Sequence, residues 1–347
     1  MKKALPEITA KRITAGISAN DIAAAAIYAC FAVFLCMHAG KVNKAVVAFA
    51  VNGVAAAWGA YFVSRRWVNN WTPSLFAGAV YGFGPFAVSF ELFHPLASLS
   101  FMMVPWLFLP SVYWHKGKSP GAMRFCVRAM LSLLPFAGII LLFWLPAQTW
   151  AGPVFLMPLD LSMTVKDFTE VIFPLRQTGG MVEFGLYHCS VVLALMGLFV
   201  FYKLKRVAFL IPISAGLVLS FCEPVLQVSP IAWAAFPMLF LSMLSGLGFQ
   251  AMVSAGKADS KWVITCGVFV SILAVFFGAM MIRIVDPFRT MYEVTASMYG
   301  LTAVGIWMIL FFIHAFPRRN QFRWLLLTAI MVIDLLFSAR YLMDVLF

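Results

Sequence analysis

Residues 145–187, LPAQTWAGPVFLMPLDLSMTVKDFTEVIFPLRQTGGMVEFGLY, form the one long interval of this chain without a clean apolar span. They hold Asp160, Lys166, Asp167, Glu170, Arg176 and Glu183, a dense group in a chain that is only 11% charged. Apolar runs of about twenty residues crowd both sides, the length a helix needs to cross the hydrocarbon core of a bilayer. The runs are continuous rather than alternating, so they read as helices and not as barrel strands. The predicted fold is therefore all-α, a polytopic transmembrane helical bundle. By run length it has about eleven spans, near 21–38, 45–63, 73–92, 96–114, 125–146, 186–202, 207–222, 229–252, 262–282, 296–316 and 324–340. Residues 1–20, with Lys2, Lys3, Lys11 and Arg12, are a basic segment preceding a single transmembrane domain at 21–347, from which 147–185 projects as a loop.

Composition supports the same class. The chain is 63% hydrophobic over 347 residues, with a mean hydropathy of +0.94, against roughly half apolar for soluble domains. The formal charge of +12 would point to nucleic acid in a soluble protein. Here the basic residues sit in short loops between spans, without aromatic interleaving, and no nucleic-acid partner is expected. With the N-terminus inside, eighteen of the 25 basic residues fall on the inner side. That bias predicts an N-in, C-out chain with 147–185 outside. Six cysteines show neither CxxC nor metal-ligand spacing and read as small buried hydrophobes. No metal site is predicted.

Local signals mark several spans. Ser18-Ala19-Asn20-Asp21 is a helix start, capped by Asn20 or Asp21. Thr72-Pro73 reads as cap plus first-turn proline for the third span. Within it, Gly78 and Gly82 form a GxxxG pair for close helix approach, and Gly84-Pro85 predicts a kink.

Few residues in the spans can carry chemistry. Glu91 and His94 lie three apart at the outer end of the third span, as a base pair, half a metal site, or a solvated turn stopped by Pro95. Asp167 and Glu170 repeat that spacing in the long loop, where Leu161, Val165 and Phe168 outline an amphipathic interfacial helix. Arg176, Arg283 and Arg289 stand outside against the orientation rule, and suit either a lipid phosphate or pairing with outer acids. Asp334 sits inside the last span, functional or paired with Ser338 one turn on. Asn52 in the second span reads as interhelical glue. Haem needs a histidine from each of two spans, but His38, His188 and His314 lie near span ends, so no cofactor is assigned while haem or a pigment stays open. No Ser-His-Asp spacing, HExxH, CxxCH or Walker motif is present.

Two blocks carry a resemblance. One is GAYFVSRRW at 59–67 followed by LFAGAVYGFGPFAVSFELFHP at 75–95. The other is VIFPLRQTGGMVEFGLYHCSVVLALMGLF at 171–199, with FPMLF at 236–240 running into LSMLSGLGFQAM. Their order resembles the YfhO-like bacterial membrane proteins of the wider GT-C glycosyltransferase superfamily, over about 45–255. The resemblance implies a multi-pass protein of the bacterial cytoplasmic (inner) membrane, an outward active site, and sugar transfer from a polyprenyl-phosphate donor with an acid on a large first outer loop as base. The chain departs there: its first outer loop is only Ala39-Gly40-Lys41-Val42-Asn43-Lys44, with no acid. Before the eighth span, where relatives often carry arginine, it has Ser229-Pro230-Ile231-Ala232-Trp233. These departures favour a non-catalytic GT-C-like scaffold or accessory subunit, partnered by membrane lipids and other membrane-protein subunits. A glycosyltransferase is the alternative. A transporter comes third, because the two halves show no matching broken helices.

Overall fold

The computed structural model describes residues 18–38, 44–68, 70–93, 95–114, 121–149, 162–164, 167–173, 185–204, 210–283, 289–316 and 319–346. The described chain is helical, in thirteen α-helices, and no strand occurs among the described residues. The helices are α1 Ala19–His38, α2 Lys44–Ser64, α3 Trp71–Phe83, α4 Pro85–Phe93, α5 Pro95–Tyr113, α6 Gly121–Thr149 and α7 Phe168–Ile172. They continue as α8 His188–Leu204, α9 Leu210–Phe221, α10 Ala235–Ser254, α11 Ser260–Arg283, α12 Arg289–Ala315 and α13 Asn320–Leu346. A 3-10 segment, Pro230–Ala234, leads directly into α10.

Seven helical stretches are long and apolar enough to cross a membrane. They correspond to α1, α2, α6, the 3-10 segment with α10, and α11 to α13. Shorter apolar helices cover Ala97–Tyr113, His188–Tyr202 and Leu210–Phe221. The chain is thus an all-α, multi-pass membrane protein by the length and composition of its helices. The third expected span is two helices. Gly84 is extended at φ −71, ψ 170, and Pro85 restarts the helix as α4. The proline expected to kink one helix ends it instead, because it has no amide hydrogen to donate and its ring crowds the preceding turn.

The helix starts also differ from expectation. Asp21 does not cap α1 from its first position. It sits three residues after Ser18 and accepts from the Ser18 amide at 2.8 Å and the Ser18 hydroxyl at 2.7 Å. This is the acidic half of a capping box, since the Asp21 amide donates to the Ser18 carbonyl instead of its hydroxyl. At α3, Asn70 precedes the helix in the extended conformation, so Thr72 lies inside the first turn rather than capping it.

Close backbone approach organises the bundle. A Cβ on Gly82 would run into the Gly53 carbonyl and Ala57 of α2, so α2 and α3 meet across the predicted glycine pair. A second crossing of this kind was not read from sequence: a Cβ on Gly248 of α10 would collide with the Leu193 carbonyl of α8. Small residues at such positions let helices pack by dispersion where lipid removes the hydrophobic drive. α10 is the central helix, 94% buried across its span with the 3-10 segment, whereas α6 at 17% lies at the periphery. α6 is held by α5 and by Phe136, whose ring stacks 4.3 Å from Phe236 and 5.6 Å from Trp233.

Hydrogen bonds show which helix ends meet. At one end Tyr61 reaches Asp21, and Arg323 donates to the Ala255 carbonyl. At the other, the Met163 amide donates to Ser220, and Tyr299 donates to the Ile172 carbonyl. The first end holds Arg65, Arg66, Lys257, Lys261, Arg319 and Arg323, and is the basic one. The second receives the described parts of the long loop.

Candidate functional site

Among the described residues, the most deeply buried ionisable pair lies at this loop end. α8 begins at His188, fully buried, immediately after the long loop. Its Nδ1 is 2.9 Å from Oδ1 of Asp334, which is 1% exposed in α13. The other carboxylate oxygen, Oδ2, accepts from the Cys189 amide at 2.7 Å. That amide belongs to the first turn of α8, where backbone donors have no partner within their own helix. Asp334 therefore caps α8 from a different helix, with its negative end at the positive end of the α8 dipole. Ser338, one turn along α13, donates to Oδ1 at 3.0 Å and lies 3.3 Å from His188 Nδ1.

The network assigns the imidazole tautomer. Asp334 is the acceptor for Cys189 and Ser338, so Nδ1–H of His188 completes the set as the third donor. Nε2 has no hydrogen-bond partner among the described residues. The Tyr299 ring stands edge-to-face to the imidazole at 5.0 Å, and Phe277 stacks on Tyr299 at 5.6 Å. Tyr299 in turn holds the short helix α7 through the Ile172 carbonyl, which places α7 over this part of the bundle.

This geometry is not a nucleophilic triad. In such a triad the hydroxyl sits at the imidazole nitrogen opposite the acid, where the imidazole can take its proton. Here Ser338 and Asp334 both lie at Nδ1. Nor is it a metal centre: no group of three His, Cys, Asp or Glu side chains converges among the described residues. The arrangement can orient an imidazole and tie α8 to α13 across 146 residues of sequence.

A second polar knot joins α2, α4 and α5. Asn52 donates from Nδ2 to Glu91 Oε2 at 3.4 Å and to the Ser98 hydroxyl. Glu91 is 1% exposed, and its Oε1 has no hydrogen-bond partner among the described residues. The expected solvated turn is thus a buried contact. The carboxylate points at Asn52 because α2 packs against both α4 and α5. The reading of Asn52 as interhelical glue matches this geometry.

The remaining candidates separate. Asp167 accepts from the Thr164 amide at 2.5 Å and the Thr164 hydroxyl at 3.1 Å, closing a local turn at the surface. Glu170, by contrast, is 1% exposed, so the two acids do not present a common solvated face. Arg283 is exposed at the end of α11. Arg289 lies 4.0 Å from Glu293 one turn on, with both side chains half exposed. His94, Arg176, Asp160, Lys166, Leu161 and Val165 fall outside the described residues, as does the side chain of Phe168.

Sequence reasoning gave Asp334 its nearest partner, Ser338, but missed His188. The available signal was a histidine at the junction of loop and span, together with an aspartate at depth. Nothing local joins them. It also missed Arg323, 1% exposed, which donates to the Ala255 carbonyl at 2.5 Å and to the Asn320 side chain. No family model, curated protein or solved structure matches the chain.

Proposed function

We propose that the chain is an integral membrane scaffold, an accessory subunit of a larger membrane assembly with a GT-C-like arrangement of spans. In this reading the shorter apolar helices and the broken α3–α4 pair complete eleven crossings. The basic end faces the cytoplasm of a bacterium, and the loop end faces outward. The observation that carries the reading is the state of Glu91, the best-placed acid for a base on the outer side. It is 1% exposed and turned onto Asn52. A base that deprotonates a sugar acceptor must reach that acceptor within hydrogen-bond distance. Glu91 is instead used between helices, as is Asp334.

The test is a pair of strains. Glu91→Gln keeps shape and removes charge; it is expected to leave glycan modification and native-gel assemblies unchanged, while deletion of the gene collapses a larger assembly. Loss of a glycan in Glu91→Gln with assemblies intact would favour a glycosyltransferase acting on a polyprenyl-phosphate-linked sugar. One observation supports that second reading: Arg283 is exposed at the loop end, where a lipid phosphate would sit. Orientation is tested separately. Cysteine at Thr178 should react with an impermeant thiol reagent on intact cells, and cysteine at Gly117 only after lysis.

A further inference from the structure

A half-open cleft of about 340 Å³ lies between α1, α3 and α13. Its size falls in the range of small-ligand pockets, roughly 300–1,000 Å³. No charged side chain lines it, and besides Tyr28 its hydroxyls are those of Thr72 and Thr328, the latter buried without a hydrogen-bond partner among the described residues. Such pockets ordinarily carry a few placed polar groups that fix a ligand's orientation. A cleft lined mainly by aliphatic and aromatic side chains, with no charged group, favours an apolar chain. Tyr28 lines it too, and its hydroxyl donates to the Leu75 carbonyl at 2.8 Å, which satisfies the polar group that α1 brings to this seam.

The direction and length of the cleft narrow the occupant. Trp71 and Trp324 line it, each near the start of its helix at the basic end of the bundle. From there it runs along α13 to Leu336 and along α1 to Phe31. Twelve residues of helix, from Trp324 to Leu336, rise about 18 Å. One leaflet of hydrocarbon is about 15 Å deep. The cleft therefore matches a single leaflet, with tryptophans at the level where indole rings favour the membrane interface.

Charge sets the headgroup. Arg66 precedes Trp71 by five residues, and Arg319, exposed, precedes Trp324 by five. Basic groups at a membrane surface attract anionic lipids, and arginine matches phosphate geometry with two parallel donors. We propose that the α1–α3–α13 cleft binds one acyl chain of an anionic phospholipid from the leaflet at the basic end, with Arg66 and Arg319 serving its headgroup. The headgroup end of this site is at the opposite end of the bundle from the arginines at 283 and 289, while its inner end, at Leu335 and Leu336, flanks Asp334 on α13.

Native mass spectrometry of the detergent-washed full chain tests it. The wild type is expected to retain one phospholipid, enriched in acidic headgroups over the source membrane. Ala79→Trp, which sets an indole in the cleft, is expected to lose most of it. Arg66→Gln with Arg319→Gln is expected to keep a lipid while the headgroup falls to bulk composition. Equal retention in Ala79→Trp, bulk composition in the wild type, or an isoprenoid in place of the phospholipid would each overturn the proposal. If Ala79→Trp does not fold, the wild type in phosphatidylcholine vesicles with a minority of phosphatidylglycerol carrying a photoactivatable acyl chain decides the matter. Label concentrated on 71–79 and 324–336 supports the cleft; label spread equally over α6 rejects it.

Discussion

The two polar knots of the bundle are built from similar parts and differ in completeness. Around Asp334, a carboxylate meets three donors: the Cys189 amide, the Ser338 hydroxyl and the His188 imidazole. Around Glu91, a carboxylate meets the Ser98 hydroxyl and the Asn52 amide, the latter at a long 3.4 Å, and leaves Oε1 without a partner among the described residues. Burial of a polar group costs free energy unless hydrogen bonds replace those lost to water. The first knot is thus a fastener whose parts depend on one another. The second is less complete, because one of its two carboxylate oxygens is buried without a donor among the described residues. A deep carboxylate is therefore informative through its partners, more than through its depth.

The sharpest way to break the contrast is Asp334→Ala. It strands a buried imidazole and uncaps α8 in one step, and removal of one partner of a buried pair costs about 3–5 kcal/mol. Unfolding of the purified protein in mixed micelles should show a loss of that order; wild-type stability would mean the knot holds nothing. Ser338→Ala removes one donor of three and should cost about 0.5–1.5 kcal/mol by the same measurement. A loss equal to that of Asp334→Ala would make the serine the centre of the knot. Glu91→Gln keeps the acceptor for Asn52 and removes the desolvation cost of an acid, so the change should be within about 1 kcal/mol, neutral or stabilising. A loss above about 3 kcal/mol would place Glu91 on a level with Asp334. The smallest effect belongs to Glu293→Gln. Its ion pair with Arg289 is half exposed and 4.0 Å long, and surface pairs of this spacing contribute about 0.3–0.5 kcal/mol. A larger shift would show that the end of α12 is shielded from solvent.

The same contrast explains what could be read in the residues alone. Apolar run length places the helices, because a span in lipid must satisfy its own backbone. The Gly78–Gly82 spacing announces a close crossing because the spacing itself is the mechanism. Ser338 was legible as a partner of Asp334 because four residues make one turn. His188 was not: its tie to Asp334 depends on how α8 and α13 meet, and no periodicity encodes that. Gly248 was equally silent, since its partner is a backbone carbonyl on another helix. The proline at 85 was visible, but whether it bends or breaks a helix is decided by the extended residue before it.

The helices are also unequal in length, and a bilayer responds to length. The apolar stretch of α6, Cys126–Pro146, has 21 residues and α9 has 12, or about 32 Å and 18 Å of axis, against a hydrocarbon core of about 30 Å. Both carry apolar side chains exposed at the molecular surface: Leu133 and Leu141 on α6, Ile211 and Val218 on α9. A long helix tilts or thickens the lipid beside it, and a short one draws the leaflets together. The apolar stretch of α6 thus fits the hydrocarbon core, whereas a crossing by α9 carries a mismatch of about 12 Å that thinned lipid or the residues at its ends must absorb.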